Sequence, residues 1–363
     1  MKPSLFFYHD LLPETPVTVV GEPADLDDRG LVERIIVAYQ KSIAESGDLG
    51  GSIWQGIADK SRDVHEALLA GNVDTVTDIL RYPARSNILY GFEMVFEDYA
   101  PSVRENPAIG QLQARWAHDN LVRVAETLGA IRTYLPEVDF QERPWDPESL
   151  LAAIEQTVGF PVHFPNTIPE EYGIQTSRGV ICHRAVQALY QAWRLGQLRA
   201  FVGGGKTVEL GAGLGRTAWF ANVFGFDDYT IVDLPMANVA QAYFLGRALG
   251  PERVVLHGEP NILGPTLRVE NPAWFLATED RYDIALNNDS MVEIGLEAVE
   301  DYWRQLAQRA DLFVSMNHEA QSFRVADLPA RLGLPAKTLR SFHPVRKGYI
   351  EELFLLGSRF RGG

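Results

Sequence analysis

The chain has 363 residues, 46% of them hydrophobic, and a formal net charge of −15 at pH 7. This length and composition predict a globular protein with two domains or one elaborated domain. An acidic surface repels phosphate backbones and anionic lipids, so we expect a small-molecule partner rather than nucleic acid or a membrane. The single cysteine, Cys182, excludes an internal disulfide, and the N-terminal residues lack a signal-peptide pattern, so we expect a cytoplasmic protein.

The first half of the chain has the pattern of packed helices. Apolar residues recur at helical spacing in three segments, residues 29–46, 87–99 and 112–131. A fourth helix is predicted by its ends, because Asp146 can serve as N-cap, Pro147 takes the first helical position and Gly159 can terminate it. The proline-rich segment 159–173 then predicts a connector. We therefore expect a mainly helical N-terminal domain over residues 1–165.

Strands and helices alternate in the second half of the chain. The predicted strands are "KTVEL", "YTIVDL", "RVVLH", "YDIALNN" and "DLFVSMN". This alternation predicts a parallel sheet with helices on both faces and ligands bound beyond the carboxyl ends of the strands. The strand-like segments 338–345 and 349–358 are too close for a helical crossover and predict an antiparallel hairpin. The expected fold class is α/β, with a mostly parallel seven-stranded sheet in a Rossmann-like domain over residues 166–363.

Three glycines, Gly211, Gly213 and Gly215, follow the first of these strands in "TVELGAGLGR". The dinucleotide-binding pattern Gly-x-Gly-x-x-Gly fails when it is started at Gly211, because Arg216 stands at its third glycine. Its looser form, with alanine last, is satisfied by Gly213, Gly215 and Ala218. The glycines alone therefore leave an NAD-dependent oxidoreductase open.

Two carboxylates flank the glycines. Asp233 ends the second strand, where an acidic residue accepts hydrogen bonds from ribose hydroxyls, and this feature suits NAD and S-adenosylmethionine equally. Asp233 could instead cap the helix that begins at Pro235. Glu209 lies two positions before Gly211, on the strand that feeds the loop. This residue and the terminal hairpin both favour S-adenosylmethionine.

With these motifs the sequence resembles the class I S-adenosylmethionine-dependent methyltransferases over roughly residues 175–357. Together, "VELGAGLGRTAWFA", "IVDLPMANVAQAYFLGRALG", "NNDSMVEI" and "SMNHEA" resemble the sugar O-methyltransferases of bacterial natural-product pathways. The resemblance implies that the glycine loop curves around the methionine part of the cofactor and that Asp233 holds its ribose. The cofactor-binding residues expected on this basis are Glu209, Gly211, Ala212, Gly213, Gly215, Asp233, Leu234, Gly258, Glu259, Asn287 and Asn288.

Polar residues also end the fourth and fifth predicted strands, where they place Asp289, Glu293, His318 and Glu319 at one rim of the sheet. A histidine beside carboxylates suits proton transfer near neutral pH, so we expect His318 to be the general base, with Asp289 or Glu319 orienting its ring. A divalent metal held by Asp289, Glu293, Asn317 and Glu319 is the alternative. It is not favoured, because the spacing gives no fixed ligand pattern.

The sequence therefore predicts a methyltransferase that uses S-adenosylmethionine to methylate a sugar hydroxyl on a secondary metabolite. The helical N-terminal domain is expected to build the pocket for this glycosylated acceptor, and a homodimer is one option for assembly. Methylation at carbon or nitrogen of another small metabolite stays open. So does a protein that binds the cofactor without methylating anything.

Overall fold

The computed structural model describes residues 12, 16–22, 27–46, 59–97, 99–135, 137, 144–261, 266–334 and 336–360. The helices with described bounds are α1 (Arg29–Ser46), α2 (Arg62–Leu69), α3 (Val73–Arg81), α4 (Ala100–Glu105), α5 (Pro107–Thr127), α6 (Pro147–Val158), α7 (His183–Val202), α8 (Arg216–Val223), α9 (Pro235–Leu249), α10 (Pro272–Ala277), α11 (Leu296–Arg309) and α12 (Leu328–Arg331). The strands are β1 (Val17–Val19), β2 (Tyr172–Thr176), β3 (Gly179–Ile181), β4 (Thr207–Leu210), β5 (Tyr229–Val232), β6 (Val254–Leu256), β7 (Leu267–Glu270), β8 (Tyr282–Asn288), β9 (Ala310–His318), β10 (Lys337–Phe342) and β11 (Tyr349–Leu355).

The larger sheet contains eight strands in the described part of the chain, in the order β6–β7–β5–β4–β8–β9–β11–β10. Neighbours from β6 to β9 pair in parallel, whereas β11 runs antiparallel to both β9 and β10. The α/β class and the terminal hairpin are therefore confirmed. The predicted count of seven strands is wrong, because β7 inserts between β5 and β6. Its four residues, "LRVE", alternate apolar and charged side chains, a strand pattern that the sequence analysis did not use.

A second, three-stranded sheet was not predicted. In it β1 pairs with β2 and β2 pairs with β3, all antiparallel, so the start of the described chain lies against the segment just after the connector. Helix α7 begins at His183, two residues after the end of β3. Cys182 is its N-cap, and the Cys182 Sγ accepts a hydrogen bond from the backbone N–H of Ala185 at 3.4 Å.

The predicted helices of the first half are present with one exception. α1 and α6 have the expected bounds, and Asp146 caps α6 by accepting a hydrogen bond from Ser149 N at 3.0 Å. The helix predicted over residues 87–99 is wrong, because the described part of that segment forms successive turns. Gly91 lies within it at a φ of 95°, which a helix cannot accommodate. The apolar period there reflects burial of turn residues such as Ile88.

The main hydrophobic core runs through both halves of the chain, from Leu31 in α1 to Leu353 in β11. α1 packs closely on α9, where a Cβ added to Gly246 would lie 2.7 Å from Leu31 Cδ2. The predicted domain boundary at residue 165 stays a prediction, and the core is continuous across it. No helix in the described ranges is both long enough and apolar enough to cross a bilayer.

A buried carboxylate also joins the helical region to the sheet layer. Asp28 is 5% exposed, and its Oδ2 accepts hydrogen bonds from Arg81 Nε at 3.0 Å and from the hydroxyl of Tyr243, in α9, at 2.7 Å. Its Oδ1 accepts a further bond from Arg81 at 2.5 Å. Three bonds on one buried carboxylate connect the segment before α1 with α3 and α9.

We expect Asp28→Ala to lower the free energy of unfolding by about 2–4 kcal/mol, because a guanidinium and a buried hydroxyl both lose their partner. The matched control is Asp74→Ala, which removes the exposed ion pair with Arg29 and should change stability little. Urea unfolding followed by circular dichroism measures both changes. Similar losses for the two variants would contradict a linking role for Asp28.

Candidate functional site

The loop after β4 turns tightly beneath the end of β8. Gly211 and Gly215 have φ values of 71° and 89°, in the left-handed region that favours glycine. Space is limiting as well, because a Cβ added to Gly211 would lie 2.0 Å from Ser290 Oγ. At Gly213 the nearest atom to an added Cβ is Phe92 Cβ at 3.9 Å, so the loop is open on that side.

A cavity of about 200 Å³ lies at the carboxyl ends of β4, β5 and β8, beside α7. The residues predicted from the sequence that line it are Glu209, Gly211, Ala212, Gly213, Asp233, Asn288, Asp289 and Glu293. The predicted residues that are not part of its described lining are Gly215, Leu234, Gly258, Glu259, Asn287, His318 and Glu319. The structure thus brings six of the eleven predicted cofactor-binding residues, and Asp289 and Glu293 of the predicted catalytic residues, to one cavity.

Glu209 is buried at the base of this cavity, and its Oε2 accepts a hydrogen bond from Tyr229 OH at 2.9 Å. Burial raises the pKa of Glu209 to about 8, and the nearby Asp233 contributes to the rise. The carboxyl is therefore mostly protonated at neutral pH when the cavity is empty. A cation placed beside it would favour the ionised form.

Asp233 is held against the glycine loop by a glutamine. Gln241 Nε2 donates to Asp233 Oδ2 at 2.7 Å and to the carbonyl of Gly213 at 2.8 Å. The other carboxylate oxygen accepts a bond from the adjacent Leu234 N at 2.8 Å, and Asp233 is not the N-cap of α9. Burial raises the pKa of Asp233 to about 6. Its partly exposed face lines the cavity, where ribose hydroxyls could donate to it.

Gly258 and Glu259 are not part of the described lining of the cavity, and their contact with the cofactor stays a prediction. They follow β6, which β7 separates from β5. Glu259 is engaged elsewhere, because it accepts hydrogen bonds from Arg34 Nε at 2.7 Å and from Leu256 N at 2.9 Å. Through Arg34, its carboxylate therefore links α1 to the loop after the edge strand β6.

Asn287 is fully buried and ties three strands together. Its Nδ2 donates to the carbonyl of Leu210, at the end of β4, at 2.8 Å. Its Oδ1 accepts bonds from Met291 N at 3.2 Å and from Asn317 Nδ2, in β9, at 2.8 Å. Asn287 supports the floor of the cavity, while the neighbouring Asn288 lines it.

Asp289 and Glu293 form the acidic rim beyond β8. Asp289 has a φ of 62°, which is uncommon for a residue with a side chain. Its Oδ2 accepts a hydrogen bond from Arg346 Nη2 at 2.8 Å, whereas its buried Oδ1 has no hydrogen-bond partner among the described residues. His318 Nε2 lies 3.8 Å from that Oδ1 and 3.9 Å from Glu293 Oε1. Burial and the neighbouring Asp289 raise the pKa of Glu293.

The hydrogen bonding of His318 assigns its tautomer. The backbone N–H of Ala320 donates to His318 Nδ1 at 3.1 Å, so the neutral ring carries its proton on Nε2. That nitrogen faces Asp289 and Glu293, and in this tautomer it donates rather than accepts. Of the carboxyl groups at this rim, Glu293 is the one whose pKa is raised, because it is buried beside Asp289.

The hydrogen bond from Ala320 to His318 Nδ1 also bears on whether this cluster could bind a metal ion. Ligand atoms of Asp289, Glu293 and His318 lie within 4.8 Å of one another. A histidine that binds a metal usually donates its other ring N–H, whereas His318 Nδ1 accepts a bond from Ala320. Glu319, the remaining ligand of the predicted set with a carboxylate, turns away and pairs with Arg340 Nη2 at 2.9 Å. The spacing of Asp289, Glu293 and His318 could hold a metal ion, whereas the bond from Ala320 argues against His318 as one of its ligands.

Several cavity residues were missed from the sequence. Phe92 and Glu93 lie in the turns that replace the predicted helix. Arg346, in the turn between β10 and β11, is outside the described lining but donates to the lining residue Asp289. Arg184 and Gln187 lie on α7. A polar line at helical spacing on α7 is the signal that could have found the last two, whereas nothing local marks the others.

No protein-family model matches the chain, and no curated protein matches it. Among solved structures, it is similar to magnesium protoporphyrin IX methyltransferase from Synechocystis, with 12% identity and a TM-score of 0.32 over 47% of this chain and 81% of that one. It is likewise similar to the glycopeptide N-methyltransferase MtfA, with 12% identity and a TM-score of 0.32 over 45% of this chain and 90% of that one. Each likeness covers less than half of this chain, so its function has to be inferred from the chemistry of its own cavity.

Proposed function

We propose that the protein is an S-adenosylmethionine-dependent methyltransferase that acts on a hydroxyl of a small molecule. The observation that carries the proposal is the shared cavity. Glu209 and Asp233 line it beside the glycine loop, and Asp289 and Glu293 line it at the rim of β8. Cofactor and acceptor could therefore meet within one cavity, as direct methyl transfer requires.

The charge of the cavity favours this cofactor over NAD. Five carboxyl groups line it and two arginines accompany them. S-adenosylmethionine brings a sulfonium and an ammonium, which such a lining attracts. NAD would bring the negative charges of a pyrophosphate into the same space. The terminal antiparallel hairpin also departs from the six parallel strands of the dinucleotide-binding fold.

For the acceptor, we propose a sugar hydroxyl carried by a secondary metabolite. The rim offers Asn288, Ser290, Asp289 and Glu293, which can hydrogen-bond to hydroxyl groups. Transfer to a hydroxyl requires loss of its proton, and we assign that proton to Glu293 because of its raised pKa. An acceptor with a reactive carbon or nitrogen would use the same cofactor side without needing this base.

Calorimetry should show that S-adenosylhomocysteine binds and NAD does not. Asp233→Ala should weaken the binding about 5- to 150-fold, because two charge-assisted hydrogen bonds to the ribose are lost, a loss of about 1–3 kcal/mol. Glu259→Gln is the matched control, since that carboxylate lies outside the described lining, and it should leave affinity unchanged. Tighter binding of NAD would overturn the cofactor assignment.

Cofactor binding should release a proton from Glu209. With a pKa of about 8 the free carboxyl is mostly neutral, and a bound cation favours its ionised form. Affinity for S-adenosylmethionine should therefore rise between pH 6 and 7.5, below the pKa of about 7.7–8.0 of a free α-amino group. Calorimetry in two buffers of different ionisation enthalpy counts the released proton. Glu209→Gln should make the affinity nearly independent of pH over this range. An unchanged pH dependence in this variant would show that the proton is not released from Glu209.

Turnover should depend on Glu293 more than on His318. Activity is measured as S-adenosylhomocysteine formed from a panel of glycosylated small molecules. Glu293→Gln should lower kcat about 10²- to 10⁴-fold with cofactor affinity retained, because a general base acts in the transition state. His318→Gln should have a smaller effect, and a chelator should have none. The reverse order of the two variants would make His318 the base, and loss of activity with chelator would show a metal.

A further inference from the structure

One side of α7 presents polar residues to the cavity. Arg184, Gln187 and Gln191 are spaced three and four positions apart, so they share one face of the helix, and all three line the cavity. Gln191 has a partner, because its Oε1 accepts a hydrogen bond from Thr217. Gln187 is 4% exposed, and its Nε2 has no hydrogen-bond partner among the described residues.

Arg184 is incompletely neutralised. Its Nε lies 3.8 Å from Glu93 Oε2, too far for a hydrogen bond, and this buried Nε has no hydrogen-bond partner in the described ranges. Glu93 is shared, since its other oxygen accepts a bond from Arg216 Nε at 3.2 Å. Arg216 is hydrogen-bonded to a second carboxylate, Glu171, whereas Arg184 interacts with a second carboxylate, that of Glu293, only through its charge. Burying donors without partners is costly, so the unfilled capacity of Arg184 and Gln187 points to a ligand.

We propose that Arg184 and Gln187 form a carboxylate-binding subsite of the cavity. A guanidinium fork matches the two oxygens of a carboxylate, and the amide supplies a further donor. The subsite is the cationic counterpart of the acidic residues on the rest of the lining. It rests on the proposed function. The carboxylate can come from either of two sources, the methionine part of the cofactor or an acidic acceptor such as a glycoside of a uronic acid.

The first arm of the test compares S-adenosylmethionine with decarboxylated S-adenosylmethionine, which keeps both cationic centres. Calorimetry on the wild-type protein should show a preference of about 10- to 100-fold for the carboxylated form if the cofactor is the source. Arg184→Gln should remove that preference. Arg199→Gln is the matched control on α7, because Arg199 is exposed and outside the described lining, and it should keep the preference.

Gln187→Leu gives a second variant that is expected to fold. Replacing a buried amide that has an unpaired N–H by an apolar side chain of similar size should leave the thermal midpoint unchanged or raise it. The same variant should reduce the preference for the carboxylate. A purely structural role for Gln187 would instead lower stability and leave the preference intact.

The second arm is informative if the preference for carboxylated cofactor is the same in all variants. Acceptor glycosides with and without a uronic carboxylate are then compared, and Arg184→Gln should raise KM for the acidic acceptor alone while kcat is retained. If neither arm distinguishes Arg184→Gln from wild type, the subsite is refuted and the proposed function stands. If wild-type protein binds neither form of the cofactor, the proposed function itself fails and the subsite falls with it.

Discussion

The site depends on the close approach of the loop after β4 to the end of β8. Gly211 leaves no room for a side chain against Ser290, and Asn287 Nδ2 and Ser290 Oγ both donate to the carbonyl of Leu210, at 2.8 and 3.2 Å. This contact brings two strand ends to one cavity. Glu209, on β4, and Asn288, on β8, therefore line the same cavity.

The helical region closes this space through a buried ionic cluster. Arg216, at the first position of α8, donates to Glu93 and to Glu171, which come from two separate parts of the chain. All three side chains are nearly inaccessible, and an unpaired charge there would be costly. The pairing therefore holds the turns that carry Phe92 against the glycine loop. Charge rather than shape alone fixes how the helical region sits on the sheet.

Sequence reasoning was strong where one local pattern determined the structure. α1 has the expected bounds because its apolar period is long, and the glycine loop was predicted from three glycines that follow a strand. It failed where tertiary pairing decided. β7 was missed, although it pairs between β5 and β6, and Glu259, which was expected to contact the cofactor, is bound by Arg34 instead. Arg346 reaches Asp289 from 57 positions along the chain, which no local pattern announces.

The chemical roles at the rim depend on backbone groups that a sequence does not display. Because the N–H of Ala320 donates to His318 Nδ1, the neutral ring carries its proton on Nε2, the nitrogen that faces Asp289. In this tautomer Nε2 can donate a hydrogen bond but cannot accept one. Asp289 is held at positive φ by Arg346 on its side chain and by a bond from its own N–H to Met316 O at 3.0 Å. A strained conformation persists only where its surroundings fix it. Here they leave Asp289 Oδ1 without a hydrogen-bond partner among the described residues, near Nε2 of His318.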